Sequence, residues 1–178
     1  MKICIVPGHG GNDPGAIGTD PFVMEEKDFN LAVGLLLEGI LEQNGHWVVM
    51  TRRRDRTLGL AGRANFANRL GADLFVSIHA NAAVTPAAQG MEVYHFAAST
   101  GGNRAAAAVL DRMIAKFPGH RNRGVREANF TVLRVTEMPA ILVECEFLTN
   151  PKQLVFLADP QNRRELAAAI AEGIQHLG

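Results

Sequence analysis

Short apolar runs alternate along most of this chain with longer segments of helical period, and that alternation limits the fold more than any other feature. Ile3-Cys4-Ile5-Val6, Leu74-Phe75-Val76-Ser77-Ile78 and Ala140-Ile141-Leu142-Val143 read as buried strands. From Glu26 to about Asn44, Phe29, Val33, Leu36, Ile40 and Leu41 recur at helical spacing, and Gly45 closes the helix. His46–Thr51 reads as a strand, Leu58–Leu70 as a helix, Gly90–Phe96 as a strand and Asn103–Phe117 as a helix. Asn129–Arg134 is predicted as a further strand, and Asn162–His176 as a closing amphipathic helix. Strands alternating with helices predict an α/β fold with a mostly parallel, twisted, mixed sheet and helices on both faces.

A chain of 178 residues is long enough for one well-buried core and short for two, so residues 1–178 are expected to form a single domain. With 18 basic and 18 acidic residues there is no broad basic surface, which argues against a nucleic-acid partner. No apolar stretch approaches the roughly 18 to 20 residues that span a bilayer, so no membrane partner is expected. Met1-Lys2 leads directly into the first strand, and this reads as a chain made in the cytoplasm without its own signal peptide. Cys4 and Cys145 lie in or beside apolar runs and read as buried free thiols. A monomer is expected.

Two of the strand-like runs lead to a histidine, His9 and His79, and the third ends on Glu144. Ligands of open α/β sheets bind at the carboxyl ends of the strands, so these three side chains point to one site with the outline of a hydrolytic metal centre. His9 sits in Pro7-Gly8-His9-Gly10-Gly11, whose glycines leave room for an ion and a substrate. The alternative, a histidine in a phosphate-binding turn, lacks a Walker lysine. Glu25 and Glu26 open the first long helix, where carboxylates ordinarily complement the macrodipole but can also reach a zinc ion, and spacing does not choose between the two roles.

His79 ends a buried strand, where an imidazole needs a partner, and its small neighbours Ala80, Ala82 and Ala83 read as an open floor. Asn81 either supports the loop or contacts substrate. Burial of Glu144 would raise its pKa and suit acid/base work; the alternative is an ion pair with Arg123, Arg126 or Arg134. Period-two alternation puts Glu146 on the face of Glu144, in a supporting or substituting role. Asn81, Arg123 and Glu146 are therefore the candidate substrate contacts.

Taken in order, Ile5-Val6-Pro7-Gly8-His9-Gly10-Gly11 with Asp13-Pro14-Gly15-Ala16, Glu26-Lys27-Asp28, Thr51-Arg52 with Asp55, Ser77-Ile78-His79-Ala80-Asn81-Ala82, and Pro139-Ala140-Ile141-Leu142-Val143-Glu144 followed by Phe147-Leu148-Thr149-Asn150 resemble the zinc-dependent N-acetylmuramoyl-L-alanine amidases of the Amidase_3 type. The resemblance runs from about Lys2 to the last helix. It implies a peptidoglycan hydrolase, an endolysin or autolysin acting at the bacterial cell wall, that cuts the amide between N-acetylmuramic acid and the L-alanine of the stem peptide with zinc-activated water. Carried over by position, His9, Glu26 and His79 would bind one zinc ion per chain and Glu144 would be the catalytic carboxylate. The family commonly has a small residue where this chain has Glu146.

Some members of that family carry a helical insertion that covers the zinc after the fourth strand. Here the interval is only Ala97–Gly102, which predicts an open site and activity without a partner protein. Two other readings fit the same residues: a zinc peptidase with a different amide substrate, and a wall-binding module without turnover.

Overall fold

The computed structural model describes residues 1–177. Its elements in chain order are β1 (Lys2–Pro7), β2 (Ile17–Gly18), β3 (Met24–Glu25), α1 (Glu26–Gln43), β4 (Trp47–Met50), α2 (Leu60–Leu70) and β5 (Leu74–Asn81). The second half comprises β6 (Met91–His95), α3 (Thr100–Lys116), β7 (Asn122–Glu127), α4 (Thr131–Arg134), β8 (Ala140–Phe147), α5 (Pro151–Ala158) and α6 (Pro160–Gln175). Six strands form one sheet in the order β4-β1-β5-β8-β6-β7. β4, β1, β5 and β8 run parallel; β6 is antiparallel to β8, and β7 follows β6. The expected α/β class and mostly parallel mixed sheet are what the chain adopts.

Alternation along the central strands divides their side chains between two helix layers. Ile3, Ile5, Val76, Ile78, Ile141 and Val143 pack against α1, α3 and α6, whereas Cys4, Val6, Phe75 and Leu142 face α2 and α4. On the thicker side, α3 and α6 approach so closely that a Cβ on Gly173 would lie 2.5 Å from Val109 Cα. Phe29, Leu37 and Leu41 are wholly buried beneath α1, and truncating such a residue typically costs about 3 to 5 kcal/mol. Both cysteines are buried and unpaired.

Several elements differ from the sequence expectation. Asn129–Arg134 is not a strand: Thr131–Arg134 forms the one-turn helix α4, since a short apolar run does not distinguish the two states. The strand in this region is β7, Asn-Arg-Gly-Val-Arg-Glu, which looks like a polar loop but needs only one partner because it lies at the sheet edge. α5 was not expected, although Asn150 caps it by accepting from Lys152 N at 3.0 Å and Gln153 N at 3.3 Å, with Pro151 in the first turn. The same device, Asp159 before Pro160, starts α6 two residues earlier than expected.

Candidate metal centre

The carboxyl ends of β1, β5 and β8 bring the sequence-selected residues to one place. His9 follows β1 with φ 59°, the one non-glycine residue in the left-handed region among the described residues. Gly10 and Asp13 bridge the loop, Arg63 Nη2 donates to His9 O at 3.1 Å, and Lys27 Nζ donates to Gly11 O at 3.0 Å. That clamping holds an otherwise unfavourable backbone in place.

Glu26, the first residue of α1, stands between the two imidazoles. Its Oε2 is 3.0 Å from His9 Nε2 and its Oε1 is 2.8 Å from His79 Nδ1. It also accepts from Ala16 N at 2.9 Å, Ala80 N at 3.2 Å and Asn30 Nδ2 at 3.1 Å. Burial opposes its ionisation, but the bonds and charges of His79 and His9 outweigh that and hold the carboxyl far below the ordinary range. Burial likewise opposes a charged His9, where Glu26 and Asp13 prevail and the pKa rises; at the more enclosed His79 burial prevails and the pKa falls.

Each imidazole is fixed through its other nitrogen. Asp13 Oδ2 lies 2.9 Å from His9 Nδ1, and Ser77 Oγ lies 3.1 Å from His79 Nε2. Sequence reasoning did not give Asp13, Ser77 or Asn30 these roles, although the signals were present. Asp13 is four residues from His9, Ser77 shares a strand face with His79, and Asn30 lies one helical turn beyond Glu26. One donor atom from each of His9, Glu26 and His79 falls within 4.8 Å of the others, so this set can hold a metal ion. Two nitrogens and one carboxylate oxygen, with imidazoles oriented from behind, suit zinc. Space is kept for them: a Cβ on Gly8 would overlap the His79 ring, and one on Gly15 (φ 69°) would sit 2.5 Å from Glu26 Oε2.

Glu144 stands directly opposite His79 in the β5–β8 register. Its Oε2 is buried and has no hydrogen-bond partner, and burial, reinforced by Glu26 and Glu92, pushes its pKa well above the usual carboxylate range. Beside it opens a cleft of about 370 Å³, lined by Leu60, Arg63, His79, Phe130 and Leu142 among others. The lining corrects the expected alanine floor, because Ala80 packs into the core on the opposite sheet face. No helix lies between His95 and Thr100, and because β6 is antiparallel to β8 this interval sits beside Leu133 and Pro139, at the opposite strand end from Glu144.

Glu146 does not join this site. The register slips between His79–Asn81 and Glu144–Phe147, and the bulge breaks strict alternation. Glu146 is wholly buried, with Oε1 2.8 Å from His120 Nδ1 and Oε2 accepting from Gly90 N at 2.7 Å. His120 in turn packs on Phe117 and Phe156, on the side of the thicker helix layer. Neither a supporting nor a substituting role beside Glu144 fits that position. Asn81 and Arg123 both meet a residue the sequence did not single out, the buried Glu92: Asn81 Nδ2 donates at 2.7 Å and Arg123 Nε at 3.0 Å. Arg126, suggested above as a partner for Glu144, also pairs with Glu92, at 2.7 Å.

A two-histidine, one-carboxylate cluster beside an unpartnered glutamate, at the strand ends of an α/β domain, defines a metallohydrolase-like centre. Residues 3–176 match the family model described as N-acetylmuramoyl-L-alanine amidase, Amidase_3, and the chain belongs to that family. It is 36% identical over 173 residues to the probable cell wall amidase LytH of Staphylococcus aureus, an alignment covering 97% of this chain and 57% of that protein. The chain thus spans a little over half the length of that curated relative. Among solved structures, the amidase AmiC2 of Nostoc punctiforme superposes with a TM-score of 0.92 at 39% identity, covering 99% of this chain and 96% of that one. The catalytic domain of CwlV, an amidase from Paenibacillus polymyxa, gives 0.92 at 38% identity, covering 98% and 96%.

Proposed function

We propose that the chain is a single catalytic domain that hydrolyses the amide between N-acetylmuramic acid and the L-alanine of the peptidoglycan stem, acting at the bacterial cell wall as a monomer. The observation that carries this reading is the pairing of two environments: Glu26 joins both imidazoles, while Glu144, opposite His79, has a buried oxygen without a partner. His9 through Nε2, Glu26, and His79 through Nδ1 would hold one zinc ion. Such an ion supplies Lewis acidity toward the scissile carbonyl and the incoming water.

The protein's own residues do the rest. Asp13 and Ser77 orient the imidazoles, so that their metal-facing nitrogens need no rearrangement. Glu144, with its raised pKa, accepts the proton of the attacking water and returns it to the departing alanine nitrogen. The apolar walls around Leu142 and Phe130 hold the peptide and limit competing solvent. We take the cleft to admit a polymeric strand without an activating partner, since the six residues from Ala97 to Gly102 are too few for a covering helix.

Purified protein incubated with sacculi tests this. Release of free L-alanine amino termini from the glycan, abolished by a chelator and restored by zinc, is the expected result. Metal-dependent cleavage elsewhere in the stem would identify a peptidase, and binding without any new chain end would identify a wall-binding module.

A further inference from the structure

Arg123 and Arg126 are three residues apart in β7, a spacing that strict alternation sends to opposite sheet faces. Here both reach the same carboxylate. The β6–β7 register slips between Met91 and Glu92, leaving Arg123 as the extra residue, and Gly124 takes φ 91°, a conformation glycine adopts without strain. The result is that Arg123 Nε lies 3.0 Å and Arg126 Nε 2.7 Å from Glu92 Oε2. Oε1 of that residue accepts from Asn81 Nδ2 at 2.7 Å and the Tyr94 hydroxyl at 3.1 Å. Arg123 is further fixed over the Phe147 ring, 4.9 Å from its centroid.

Tethering through Nε leaves the forked ends free. Among the described residues the Nη groups of Arg123 and Arg126 have no hydrogen-bond partner, and the two side chains are 24% and 46% exposed. One buried carboxylate faces two guanidiniums, so the pair keeps an uncompensated positive charge and several directed donors. Paired forks of this kind match a planar carboxylate. Their position matters as well. Glu92 faces Glu144 across the β6–β8 ladder, where Cβ atoms of opposed residues lie about 5 Å apart. In a stem peptide the residue after the first L-alanine carries a carboxyl group that some walls leave free and others convert to a carboxamide, about 7 Å along the chain from the scissile amide.

We infer that Arg123 and Arg126 read that carboxylate, making the enzyme selective for stems whose second residue carries a free acid rather than an amide. The inference rests on the amidase reading and specifies its substrate. The Glu92 carboxylate aims the two guanidiniums and is a positioning residue.

The test uses two N-acetylmuramoyl peptides that differ only in a free carboxylate or a carboxamide on the second residue. The wild-type chain is expected to show a KM about 10- to 100-fold lower for the acid, with similar kcat, the range for charge-assisted hydrogen bonds. Arg126→Ala should raise KM for the acid and leave the amide unchanged, with Arg126→Lys in between. Equal KM values for the two compounds with wild-type protein would overturn the inference without any variant having to fold, and so would a variant that weakens both alike. Calorimetric binding of the same two compounds separates this from the amidase reading. Preference for the acid in a chain that cleaves neither would keep the inference and remove the amidase reading, whereas cleavage without preference would do the reverse.

Discussion

Glu144 and Glu146 lie two residues apart in β8 and end in opposite environments. Glu146 is saturated, its oxygens satisfied by His120, Gly90 N and Phe147 N, in a fully closed position. Glu144 has a buried oxygen with no partner and borders the cleft. A buried carboxylate that is meant to stay in one state is surrounded by donors; one that must gain and lose a proton is left without them. Glu26 extends the contrast, since every bond it makes favours its ionised form, the form that the proposed metal ligand needs.

The largest effect is expected at Glu144. Glu144→Gln should lower amidase turnover about 100-fold or more, the scale of a general acid/base contribution, while zinc content stays at the wild-type level. Initial rates on sacculi with parallel elemental analysis check both. Asp13→Ala, which frees the rear nitrogen of His9, should weaken zinc binding by about 10- to 100-fold in a competition with a chelating dye. Unchanged affinity would mean that Asp13 does not orient the ligand.

Smaller effects are expected at Glu146 and Phe130. Glu146→Gln should leave kcat close to wild type and lower unfolding free energy by about 1 to 3 kcal/mol in urea titration, because it disturbs satisfied buried bonds rather than the chemistry. A crippled but stable Glu146→Gln enzyme would exchange the roles assigned to the two glutamates. Phe130→Ala, at the cleft rim and 42% exposed, should cost least: a modest rise in KM with unchanged metal content.

The central strands, the long helices and the convergence of His9, His79 and Glu144 were legible in the sequence because each depends on local period and on strand ends, whereas Glu26, at a helix start, was reached only through the family resemblance. Features created by register were not. Nothing in Glu144-Cys145-Glu146 announces a bulge, so alternation placed Glu146 wrongly, and the same limit hid the meeting of Arg123 and Arg126 on Glu92. β7 escaped because an edge strand needs no apolar run. Its neighbour α4 reads as a strand in the sequence because four residues carry too little period to decide. The cleft lining depends on α2 and α4 folding over one sheet face, a packing relation that the small residues after His79 did not reveal.

Under the proposed function one group of residues holds the metal and another transfers the proton. Elemental analysis of protein purified without added metal tests it, comparing the wild-type chain with Glu144→Gln and His79→Ala. One zinc per chain is expected in the first two and none in the third. Stoichiometric zinc in His79→Ala, or its loss from Glu144→Gln, would contradict that division of roles.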